Sequence, residues 1–245
     1  MRFSTHKTSN PAFNDYFWNQ KSHSGKTMTV TGIFIKSLLC IIVVAGITGY
    51  IWKLDLDGVD VSWFRLGGII AAIIISVIIS FKKELAPVLV PLYTIAKGCF
   101  IGGFSAWVKA KYPQLPFQAI GVTVVTFFTV LILYQTRIIV VSKKLRSVII
   151  TAAASIFLVY IISWILSFFG IKAFIWGTSW IAITFNIIAA IVASLTLLLD
   201  FDFIERKKNK APKSMEWFAT WGLLVSLFWL YVEVLRLMRK LSVKF

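Results

Sequence analysis

Residues 30–52 read V-T-G-I-F-I-K-S-L-L-C-I-I-V-V-A-G-I-T-G-Y-I-W, interrupted by a single charge, Lys36. A helix of about 20 apolar residues crosses the hydrocarbon core of a bilayer, so this segment can span one. Six further stretches of the same kind follow, at approximately 64–81, 86–108, 117–141, 147–169, 174–200 and 217–238. Each is longer than a barrel strand needs, and none alternates with its period of two. The connections are short, which makes consecutive helices antiparallel neighbours. The sequence therefore predicts an all-α membrane protein, a compact bundle of seven transmembrane helices over 29–245. A polar N-terminal tail, 1–28, precedes it.

The composition agrees. Of 245 residues, 58% are hydrophobic and 15% are charged, where a soluble domain has about 45–50% and about 25%. The excess of 26 basic over 10 acidic residues would point to nucleic acid in a soluble chain. In a chain this apolar the expected partner is the lipid bilayer, with no nucleic acid. Cys40 and Cys99 lie in apolar runs and suggest neither a disulfide framework nor a zinc site. His6 and His23 fall in the polar tail. That tail has no apolar core, so the expectation is no cleavable signal peptide, with the first helix directing insertion.

The basic residues orient the bundle. With the N-terminus inside, 14 lie on the cytoplasmic side: Arg2, Lys7, Lys21 and Lys26 in the tail, then Lys82, Lys83, Lys143, Lys144, Arg146 and five between Arg206 and Lys213. The other side holds 8: Lys53, Arg65, Lys109, Lys111, Lys172, and a C-terminal tail with Arg239, Lys240 and Lys244. The positive-inside rule places the N-terminus in the cytoplasm. The basic C-terminal tail is discordant, and a last helix that enters without crossing would reconcile it. Gly98, Gly102 and Ala106 repeat at four-residue spacing, as do Ala182, Asn186, Ala190 and Ser194. Such small-residue faces allow close helix packing, within the bundle in preference to a dimer. Trp63, Trp107, Trp164, Trp176, Trp180 and Trp217 fall near helix ends, as in an interfacial belt.

Charges inside spans cost several kcal/mol and need explanation. Lys36 and Arg137 lie near helix ends and are expected to snorkel. Lys97 is about 16 Å into the third span at 1.5 Å per residue, too deep to reach a surface. Asp200 closes the run A-S-L-T-L-L-L-D and Glu233 sits within L-Y-V-E-V-L-R-L. By helical phase Asp200 lies within about 40° of Asn186, and Glu233 shares a face with Ala219, Gly222 and Ser226. Two alternatives stay open: Asp200 as a solvated helix-end carboxylate, and Glu233 in a local pair with Arg236. Asp202 and Glu205 are assigned to a solvated cytoplasmic end. Two converging carboxylates would share a proton. Once deprotonated they would offer the hard oxygen ligands that suit Ca²⁺ or a proton path.

Several segments resemble a known family. S-N-P-A-F (9–13), M-T-V-T-G (28–32), P-L-Y-T-I-A-K-G (91–98), L-L-L-D-F-D-F-I-E (197–205), A-P-K-S-M-E-W-F-A (211–219) and L-Y-V-E-V-L-R-L (230–237) are similar to the Bax inhibitor (YccA-like) family of seven-helix membrane proteins, best to its bacterial branch. The resemblance implies a pH-sensitive Ca²⁺ leak in a bacterial plasma (inner) membrane, governed by an acid on helix six and one on helix seven. Those positions carry over to Asp200 and to Glu233, with glutamate in place of aspartate. Members are also described as death suppressors and as modulators of a membrane-bound protease. Lys97, between the two acids in estimated depth, is a candidate partner of both in a buried triad.

Two functions follow as expectations. The first is a cation leak gated at Asp200 and Glu233, with Lys97, Arg236 and Asn186 as candidate charge partners and Ca²⁺ as the transported ion, not a bound cofactor. The second is a non-conducting interaction protein that modulates a membrane protease or another membrane complex. An enzyme is not expected: no histidine occurs in any span, and no lysine in 217–238 offers a retinal attachment. The sequence assigns neither a metal-ligand set nor an oligomeric state.

Overall fold

The computed structural model describes residues 27–171 and 173–244. Expectations for the tail up to Lys26, its histidines included, and for Lys172 lie outside the described residues. Seven helices, each long and apolar enough to cross a membrane, make up most of the described residues: α1 Val30–Leu56, α2 Ser62–Phe81, α3 Ala86–Lys109, α4 Leu115–Gln135, α5 Lys143–Phe168, α6 Trp180–Lys207 and α7 Met215–Lys244. No strand occurs among the described residues.

The helix limits follow from local chemistry. Thr29 caps α1 by accepting from the Gly32 N–H, and Ser142 caps α5 by accepting from the Leu145 N–H, each satisfying a donor that has no intrahelical partner. Before α2, Asp60 accepts from the N–H and hydroxyl of Ser62. Helix α4 ends at Gln135, short of the expected 141, because Arg137 takes a left-handed conformation at φ 58°. Beyond it, Ile138 to Val141 are all β-branched and helix-poor. Helix α6 starts at Trp180, not at 174, since residues 174–176 form a 3₁₀ turn closed by Gly177. It then runs to Lys207, seven residues beyond the expected end. Helix α7 is also longer than expected: Arg239, Lys240 and Lys244 belong to the helix and not to a tail.

The chain divides into two compact units. The first comprises the described residues up to Phe104 together with Ile204–Gly222; the second comprises Ser105–Phe203 and Leu223 onward. In the first, glycines set the helix spacing. A Cβ at Gly68 on α2 would stand 2.5 Å from the Phe100 backbone nitrogen on α3, so these two backbones meet directly. Gly98 and Gly102 on α3 face Ile47 and Ile51 of α1, which gives this small-residue face a partner within the chain. Residues 27 and 28 run beside 209–212: Met28 and Ala211 share a backbone hydrogen bond, and Thr27 bridges Pro212.

In the second unit Ile156, Ala189 and Val192 form an apolar cluster, with Tyr160, Phe185 and Trp229 packed on it. Ala190 and Ser194 instead line an apolar groove with Leu230 and Val234. Burial differs sharply between helices. The most apolar window of α7 is 72% buried, against 17% in α2, α4 and α5. The thin burial of those three matches helices whose outer faces meet lipid.

Candidate functional site

Glu233 is 1% exposed and collects donors on both oxygens. The Tyr160 hydroxyl of α5 donates to Oε1 and Oε2 at 2.9 Å each. Asn186 of α6 donates through Nδ2 to Oε2 at 2.8 Å. On α7 itself, Trp229 Nε1 donates to Oε1 at 3.1 Å and Arg236 Nη1 at 3.4 Å. The local pair with Arg236 is therefore present, but it is one contact among several. A buried carboxylate must be paired or saturated with donors to stay folded, and here three helices supply them.

Lys240 extends the network. Its residue is 1% exposed, and its ammonium donates to the carbonyls of Ile175 at 2.6 Å and Ala182 at 3.1 Å and to Asn186 Oδ1. Lys240 lies seven residues beyond Glu233, two helical turns away on the same side of α7. Arg236 completes the group: its guanidinium lies 4.7 Å from the Tyr160 ring centroid and 5.5 Å from that of Trp176.

Asp200 stands apart from this network. Helix α6 continues past it, so it is an interior helical residue and not the last residue of the run. Its Oδ2 is buried with no hydrogen-bond partner. No hydrogen bond joins Asp200 to Glu233 among the described residues. Asp202 corrects a second expectation: it is 6% exposed, not solvated, and it pairs with Arg146 of α5. The extra helical length of α6 carries it inward.

Lys97 belongs to the other unit. Its ammonium lies 5.2 Å from the Phe100 ring centroid and 6.0 Å from that of Tyr93, a cation over aromatic faces. Lys36 departs from the snorkelling expected of it. It forms an ion pair at 2.5 Å with Glu216, whose side chain is fully buried, and lies 5.5 Å from the Trp217 ring centroid. Glu216 also accepts from the N–H and hydroxyl of Thr29, both at 3.0 Å. A Cβ at Gly32 would collide with this carboxylate, so glycine there makes room for it.

Sequence reasoning thus missed Tyr160, Trp229, Lys240 and the Lys36–Glu216 pair. For the last a signal existed. Lys36 and Glu216 are opposite charges near the ends of two apolar runs predicted to share one side of the membrane. Lys240 was hidden by the assumption that the seventh helix stops at 238. Among the described residues no group of three or more His, Cys, Asp or Glu could hold a metal ion. The second unit is correspondingly short of acidic side chains: Asp200, Asp202 and Glu233 are its Asp and Glu residues.

Comparison with known families gives a match over nearly the whole chain. The family model described as Bax inhibitor 1 like covers residues 10–243, and the chain belongs to that family. Neither the curated proteins nor the solved structures gave a match.

Proposed function

We propose that this family member is a pH-sensitive cation leak, with Ca²⁺ as the transported ion, and that Asp200 is the acid whose proton controls it. One observation carries the reading: Asp200 Oδ2 is buried without a hydrogen-bond partner. An ionised oxygen in apolar surroundings needs a donor or a counter-charge. A proton and a hard cation meet that need in competing ways, so occupancy by one excludes the other. Glu233 has its donors already and serves as the fixed acid that ties α5, α6 and α7 together. This division of labour takes the place of a proton shared between the two.

The same reading sets the N-terminus in the cytoplasm and the chain in a bacterial plasma (inner) membrane. The discordant C-terminal cations are engaged: Lys240 on carbonyls and Asn186, Lys244 3.4 Å from the Trp180 ring centroid. Charges held this way do not argue against the orientation that the loops favour.

Reconstitution in liposomes with an internal Ca²⁺ dye tests the reading. The wild type should show flux that changes with pH, and Asp200→Asn should flatten that dependence. A protein that acts instead by restraining a membrane protease would show no flux and would co-purify with its partner.

A further inference from the structure

In the second unit, α4, α6 and α7 leave an apolar groove of about 340 Å³ between them. Leu230 and Val234 of α7 are buried and form its floor. Ala190 and Ser194 of α6 lie beside them, half-buried, and their small side chains leave the hollow open. Val122 of α4 and Ile191 of α6 are exposed and form its rims. The groove follows α7 from Leu230 to Leu241, about 16 Å at 1.5 Å per residue.

That length is one leaflet, half of a hydrocarbon core about 30 Å thick. One end of the groove lies at the membrane surface. Leu241 is one turn before Lys244, whose ammonium lies 3.4 Å from the ring centroid of Trp180, an exposed indole at the start of α6, and such indoles sit at headgroup level. Leu230, at the other end, is then near the midplane. Spread along this length, the volume leaves a cross-section of about 20 Å². A helix with its side chains is about 10–12 Å across, several times larger in section, and does not fit. A single hydrocarbon chain does. The one hydroxyl on the α6 side, Ser194, donates to the Ile191 carbonyl of its own helix at 2.7 Å, so it is not spent on a bond across a helix pair.

We propose that this groove holds one acyl chain of a phospholipid as a resident ligand, recognised by its hydrocarbon and not by its headgroup. The chain enters at the level of Trp180 and Lys244 and ends against Leu230. Its methylenes supply the contacts that an unfilled groove would forfeit. Val234, on the floor, is the neighbour of Glu233 in sequence, so the chain packs on the stretch of α7 that carries the buried network.

Native mass spectrometry of the full chain, released from micelles that contain long-chain phosphatidylcholine, tests this and reads the oligomeric state in the same spectrum. The wild type should retain one lipid per chain. Dihexanoyl phosphatidylcholine, with chains too short to fill the groove, should not be retained, and phosphatidylglycerol with the long chains should be held equally well. Ala190→Leu and Ser194→Leu each place a side chain in the groove and should lose the lipid. Gly46→Leu adds the same side chain on α1, where a Cβ meets nothing within 4 Å, and should keep it. No retained lipid in the wild type, or equal retention of the short-chain lipid, overturns the proposal without recourse to any variant. Equal loss in Gly46→Leu overturns it by showing that the loss is not specific to the groove. A wild-type dimer that Ala190→Leu converts to monomers would overturn it in favour of a second copy of the chain.

Discussion

The Lys240 ammonium and the Glu233 carboxylate are joined through one side-chain amide: Asn186 donates to Glu233 Oε2 at 2.8 Å and accepts from Lys240. All three residues are 1% exposed. An asparagine is suited to this place because its two ends satisfy opposite charges at once. Replacement by leucine keeps roughly the volume but leaves a buried cation and a buried anion each short of a partner. Asn186→Leu should cost about 2–5 kcal/mol, read as a fall in the thermal midpoint of the purified protein. Combined with Lys240→Met the loss should be less than additive by at least about 0.5 kcal/mol. Strict additivity would show that the bridge does not couple the two.

The Lys36–Glu216 pair carries the second prediction. Glu216 is fully buried, so Lys36→Met strands its charge and should destabilise by about 3 kcal/mol. Adding Glu216→Gln should recover most of that loss, because removing both charges removes the buried imbalance. Gly32→Ala should destabilise independently by pushing its methyl into the carboxylate. Thermal unfolding followed by tryptophan fluorescence, with Trp217 beside Lys36 as a local reporter, distinguishes these outcomes.

Lys97 makes the opposite case. Its ammonium lies over Phe100 and Tyr93, and such contacts are worth about 0.5–2 kcal/mol, less than the cost of desolvating a charge. Lys97→Met should therefore leave the thermal midpoint unchanged or raise it. A drop of several degrees would mean that the lysine is held by a stronger partner than the two rings.

Asp60 supplies a pH prediction. The Ser62 N–H, then the Ser62 hydroxyl and the Arg65 charge, hold its carboxyl below the ordinary carboxylate range. A depressed value means that the ionised cap favours the folded state. Its contribution is fully present above the unfolded value, about pH 3.9, and disappears as pH falls through the lower folded value. Wild type and Asp60→Ala should thus differ in thermal midpoint at pH 6 and converge at strongly acidic pH. A difference that grows on acidification would contradict the cap.

The length of the apolar runs made the seven helices legible, since 20 apolar residues in succession admit few folds in lipid. Helix ends were less legible, and the errors shared a cause. Hydropathy stops counting at Asp200 and at 238, whereas the backbone continues through Asp202 and Lys240 because each finds a partner, Arg146 for one and Asn186 for the other. The candidate site was half legible. Glu233, Asn186 and Arg236 could be named from depth and phase along two helices. Tyr160 could not, because an aromatic at a helical position reads as packing until its hydroxyl is seen against both carboxylate oxygens. Asp200 looked like a companion of Glu233 by its helical face and by the family resemblance, not by depth. Which residues of α7 it faces depends on how the two helices cross, and phase alone does not fix that.

The measurement that bears most directly on the central claim is Ca²⁺ flux into liposomes across pH 5–8 for wild type, Asp200→Asn and Tyr160→Phe. A leak controlled at Asp200 predicts a pH-dependent wild-type rate, a flat profile in Asp200→Asn, and a retained profile in Tyr160→Phe, which removes a donor from Glu233 while leaving Asp200 intact. An Asp200→Asn profile that follows the wild type, or the absence of flux at every pH, would contradict it.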